Sequence, residues 1–74
     1  MIKVSVLIAN RHATSITIEE EFFEALLDIA ADMKLSRNQL ITEIDKTRTS
    51  QNLSSAIRIY ILQYYQNKID SLKS

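Results

Sequence analysis

The stretch Arg11-His12-Ala13-Thr14-Ser15-Ile16-Thr17-Ile18 decides the fold. Its β-branched residues alternate, and a strand sends successive side chains to opposite faces. Thr14, Ile16 and Ile18 therefore share one face, and Arg11, Ala13, Ser15 and Thr17 share the other. One face is apolar and the other can hydrogen-bond. A strand of this length cannot by itself satisfy its N–H and C=O groups or cover its apolar side, so a second strand must complete it. The most economical partner is the same strand from a second copy of the chain, which predicts a homodimer.

Upstream, Ile2, Val4, Val6 and Ile8 alternate with Lys3, Ser5 and Leu7, a pattern that reads as a possible extra strand over residues 3–8. Asn10 suits the positive φ of a turn. Residues 3–18 then form either a hairpin or one long ribbon, and the pattern leaves both open.

Downstream, the strand from about residue 12 to 18 runs into Glu19, Glu20 and Glu21, which suit the positive end of a helix dipole. Phe22, Leu26, Ile29, Ala30 and Met33 follow at spacings of three and four, widened by Phe23 and Leu27, and predict a helix over about 20–33. No Gly is present to close it, so Lys34 is left to take the left-handed position. Ser36 followed by Gln39 is a capping box for a second helix, about 37–47, whose apolar face is Leu40, Ile41 and Ile44. Asn52 caps a third, about 53–71. That helix carries two apolar series: Leu53, Ile57, Tyr60, Ile61 and Tyr64, and beside them Leu62, Tyr65, Ile69 and Leu72. A helix with two apolar faces should touch more than its own domain.

The totals fit one small domain, 1–74, without repeats or a linker. Chains this short usually add disulfides, a metal or a second subunit to their core. With no Cys and a single His, the second subunit is what remains, and His12 reads as a polar strand residue rather than a metal ligand. No apolar run approaches the roughly 18 residues of a membrane span. The amino end has a single Lys and no small-residue cleavage pattern, so a soluble, cytoplasmic protein is expected. There is no Ser/His/Asp set, and Gly is absent, so no phosphate-binding Gly loop exists; the expectation is a non-enzyme without a cofactor.

Net charge is zero, but the charges are segregated. Residues 19–34 carry six acids against one lysine, a local charge of −5, and the remainder carries eight bases and three acids, +5.

Ser15-Ile16-Thr17-Ile18-Glu19, then Phe23, Leu26, Ile29 and Ala30, then Lys34-Leu35-Ser36-Arg37-Asn38-Gln39-Leu40-Ile41 carry a resemblance to the ribbon-helix-helix (Arc/MetJ-like) DNA-binding family. The match runs from about Ala13 to Ile44. The run Ala13 to Phe22 together with Asn52-Leu53-Ser54-Ser55-Ala56-Ile57-Arg58 resembles a bacterial subgroup with an extra carboxy-terminal helix.

The resemblance implies a mainly α fold with a short amino-terminal β-ribbon, as an intertwined homodimer plus a third helix. It also implies duplex DNA as partner, with the ribbon in the major groove. On this reading Arg11, Ala13, Ser15 and Thr17 face the bases, and the amino end of the second helix at Ser36, Arg37 and Asn38 meets a phosphate. Ala13 departs from the larger polar side chains usual there, and Ser15 and Thr17 have short reach. Arg37 is mildly unfavourable to the helix dipole, which favours a functional reason for it.

The expected role is a transcriptional regulator, with dimers able to associate further on DNA. The alternative is an antitoxin-like or adaptor protein that grips another protein through its carboxy-terminal helix.

Overall fold

A computed structural model describes residues 1–9, 11–49 and 51–73. Two strands, β1 (Ile2–Ile8) and β2 (His12–Ile18), precede three helices, α1 (Glu20–Asp32), α2 (Arg37–Thr47) and α3 (Leu53–Lys73). This is a β-ribbon with two helices behind it and a third added.

β2 takes its first partner from its own chain. It pairs antiparallel with β1 in a register that sets Val4 opposite Ile16 and Ser5 opposite Ser15. Of the two arrangements open to residues 3–18, the hairpin is realised, and it occupies one edge of β2. The reason is loop-closure entropy: a turn of so few residues holds β1 beside β2 at far lower entropic cost than a separate chain. The positive φ that closes the turn is found at Ala9, at 54°. Asn10, expected to supply it, lies outside the described residues. Arg11 N–H donates to the Ile8 carbonyl at 3.0 Å across the turn.

Alternation sorts the ribbon's faces. Val4, Val6, Ile16 and Ile18 are buried against Leu26, Ile29 and Ala30 of α1, Leu40, Ile41 and Ile44 of α2, and Ala56, Ile57 and Ile61 of α3. Every helix thus contributes one apolar stripe to a single core. On α1 the stripe is narrower than its sequence implies: Phe22 and Phe23 pack against the core, whereas Leu27 and Met33 are exposed.

Local chemistry fixes the helix ends. At the end of α1, Lys34 N–H bonds to the Ala31 carbonyl and Leu35 N–H to the Ala30 carbonyl, a Schellman closure, with Lys34 at φ 60°. Both halves of the Ser36/Gln39 capping box form at the start of α2. At the start of α3, Asn52 Oδ1 accepts from Ser55 N–H at 3.2 Å. Beyond Tyr64, α3 carries only exposed side chains as far as they are described, so its last turns stand clear of the core.

Candidate nucleic-acid interface

The hairpin register brings Lys3, Ser5 and Leu7 of β1 beside Thr17, Ser15 and Ala13 of β2 on the ribbon's outer face, and all six are exposed. Alternation along β2 alone assigns Ala13, Ser15 and Thr17 to this face. The β1 residues join them through the register, which alternation within one strand cannot reveal. Arg11, which alternation assigns to the same face, stands exposed in the turn just before β2.

The two edges of the ribbon differ. Along β1, Ala9 N–H donates to Thr42 Oγ1 at 3.0 Å and Leu7 N–H to Asn38 Oδ1 at 3.4 Å. An Arg37 Nη2 donates to the Ser5 carbonyl at 3.2 Å. Helix α2 therefore covers this edge with side-chain partners, a recognised way of blocking further strand addition. Since Ser5 and Leu7 direct their backbone groups outward to α2, Ser5 and Ser15 form a pair not hydrogen-bonded to each other. Ala13, Ser15 and Thr17 consequently aim their N–H and C=O groups at the opposite edge. Among the described residues no strand of this chain pairs there. A groove of about 730 Å³ runs along that edge, walled by Asp45, Arg48, Leu53 and Arg58 among others.

Of the expected phosphate contacts, Ser36 uses its hydroxyl to accept from Gln39 N–H at 3.1 Å. Arg37 and Asn38 bind β1, and the Arg37 guanidinium also lies 6.0 Å from the Phe23 ring centroid. Each side chain thus has a structural task, while the guanidinium keeps further N–H donors and the first turn of α2 keeps its outward N–H groups.

The bases are distributed unevenly with respect to acids. Lys46 pairs with Glu43, Arg48 with Asp45, Arg58 with Glu19 and Lys68 with Asp32. Lys3, Arg11 and Arg37, all at the ribbon or on its β1 edge, form no ion pair with a described acid, and neither does Lys34 at the end of α1. The Glu19 carboxyl is held below its ordinary range, first by the hydrogen bond from Arg58. Among the described residues, no group of His, Cys, Asp and Glu is arranged to hold a metal, and no helix is long and apolar enough to cross a membrane.

A model of the ribbon-helix-helix domain matches residues 1–65. The chain belongs to the ribbon-helix-helix family. Neither a curated protein nor a solved structure matches it. The family match spans both strands, α1, α2 and the greater part of α3. Ribbon-helix-helix proteins in general bind DNA and form dimers, so membership supports a DNA-binding, regulator-type role for this chain.

Proposed function

We propose that this ribbon-helix-helix protein is a homodimeric, sequence-specific binder of duplex DNA that acts as a transcriptional regulator. Two copies join through their β2 edges. The outer face then enters the major groove with Ala13, Ser15 and Thr17 towards the base edges and Arg11 at the tip. The amino ends of the two α2 helices, at Ser36, Arg37 and Asn38, approach phosphates on either side. The observation that carries this reading is the asymmetry of the edges: α2 closes β1, whereas β2 directs its backbone groups into an open groove. A two-fold dimer calls for symmetric half-sites, and adjacent dimers can associate on longer DNA.

Ser15→Pro tests the reading. It removes an N–H aimed at the open edge, where proline is tolerated, and breaks no bond of the hairpin. Wild type should sediment as a dimer and bind duplex DNA with a marked salt dependence, whereas Ser15→Pro should be a folded monomer that does not bind. A monomeric wild type, or a dimeric Ser15→Pro, overturns it. Arg11→Ala should weaken binding, and a duplex selected from a random pool by the purified dimer gives the operator.

A second reading rests on α3. Ile59, Leu62, Tyr65, Ile69 and Leu72 are exposed on it, and an antitoxin-like or adaptor protein would use such a surface to hold another protein.

A further inference from the structure

We infer that β1 widens the DNA-facing sheet to four strands and that Lys3 is a phosphate-contacting residue that positions this sheet at the margins of the groove. The inference rests on the β2-to-β2 dimer proposed above and adds a division of labour between the strands.

Since α2 occupies the outer edge of β1 at Ser5, Leu7 and Ala9, a second copy extends the sheet at the open edge of β2, which gives the order β1-β2-β2-β1. Neighbouring strands lie about 4.8 Å apart, so the outermost strands of this sheet are about 14 Å apart. The major groove is about 12 Å wide. The central β2 pair therefore fits between the groove walls, and the β1 strands ride over the walls, where the phosphates are. The side chains match this arrangement. The β2 face offers Ala13, Ser15 and Thr17, small groups suited to close approach. The β1 face offers Lys3, directly across from Thr17, exposed and without an acidic partner among the described residues.

Charge placement agrees. Lys46, Arg48, Arg58 and Lys68 are matched to acids, whereas Lys3, Arg11 and Arg37 at the ribbon, and Lys34 at the end of α1, form no ion pair with a described acid. Three of the latter four bases lie at or beside the face that would meet DNA. Lysine, a flexible point charge, suits a phosphate row better than a base edge, which rewards the fixed fork of arginine.

The test uses the full-length protein with two duplexes: the one wild type selects from a random pool, and an unrelated one of equal length. Each phosphate contact contributes about 0.9 to the slope of log K against log salt, so Lys3→Ala should lower that slope by about 2 per dimer. It should weaken binding to both duplexes by the same factor, leave the dimer and its Tm unchanged, and be rescued by Lys3→Arg. Thr17→Ala should instead change the preference between the two duplexes. An unchanged slope in a dimeric Lys3→Ala protein that still binds, or a loss confined to the selected duplex, overturns the assignment of Lys3 but leaves the dimer reading standing. Failure of wild type to dimerise or to bind either duplex overturns both.

Discussion

Arg58 Nε donates a 2.8 Å hydrogen bond to Oε1 of Glu19, a residue 39 positions earlier in the chain. Glu19 is the joint between β2 and α1, and Arg58 lies in the first half of α3. Their pair clamps the third helix to the end of the ribbon and leaves Arg58 on the wall of the groove beside β2. Arg58 is thus tied to the edge at which the proposed second copy would enter.

The pair sets a pH dependence. Arg58 holds the Glu19 carboxyl below its ordinary value of 4.5, so the stabilisation is complete above that value and is lost as pH falls through the lower, folded one. Glu19→Gln should lower Tm by a few degrees at neutral pH, and the difference from wild type should shrink under acid conditions. Thermal unfolding of both proteins across pH checks this. A constant difference at every pH would show that the clamp is not ionic.

Among the described residues, Ala9 at φ 54° and Lys34 at φ 60° hold left-handed backbone without being glycine. Such a conformation costs an L-residue about 1–2 kcal/mol, partly offset when glycine is substituted because glycine gains freedom in the unfolded chain. Lys34→Gly should therefore raise stability by roughly 0.5–1 kcal/mol, with the Schellman bonds intact. Ala9→Gly should act in the same direction in the hairpin turn. Denaturant midpoints at unchanged m-value measure both. A lower midpoint for Lys34→Gly would mean that the lysine side chain contributes something the backbone argument omits.

The parts of the fold legible in the sequence were those encoded over a few residues. Alternation marked His12–Ile18 as a strand, the Ser36/Gln39 spacing marked the start of α2, and the lack of glycine forced Lys34 into its strained position. What was not legible depends on pairing between distant segments. Residues 3–8 read equally well as a hairpin arm or as part of a long ribbon, because period-two alternation records which face a side chain takes and not which strand lies alongside. For the same reason Lys3 and Ser5 escaped the candidate site: they reach the outer face beside Ser15 and Thr17 only in the observed register. Arg37 and Asn38 were recognisable as the start of a helix, but their bonds to β1, 31 and 32 residues away, have no local signature.

Tyr64 donates a hydrogen bond to Asp32 Oδ2, and Lys68 Nζ lies 3.7 Å from the same oxygen. The hydrogen bond to Asp32 raises the Tyr64 hydroxyl to about 12, while the Asp32 carboxyl is lowered, first by Tyr64 and then by Lys68. A raised tyrosine contributes stability that is complete below its ordinary value of 10.0 and is lost as pH rises towards the folded value. A lowered carboxyl contributes stability that is lost as pH falls below its ordinary 3.8. This link between α1 and α3 is therefore strongest between those limits. Ultraviolet titration of the tyrosines should show one late-ionising group near pH 12 that disappears in Tyr64→Phe. A titration near pH 12 left unchanged by Tyr64→Phe would contradict the link.

The last turns of α3 separate the two functional readings. Ala56, Ile57 and Ile61 are buried, so removing the chain from Leu53 onward destroys the core, at about 2–5 kcal/mol for each large aliphatic side chain lost, and cannot isolate a docking role. Ending the chain after Tyr65 instead removes Ile69 and Leu72, both exposed, and the exposed Lys68–Asp32 pair, whose contribution is small. The shortened protein should keep its fold, its dimer and its affinity for duplex DNA, because the open edge of β2 and the outer face of the ribbon are left unchanged. Sedimentation and duplex titration of the shortened chain measure each property separately. Dissociation into monomers would instead place the Ile69/Leu72 stripe in the subunit contact, where its apolar side chains would be covered by the second copy rather than held ready for another protein.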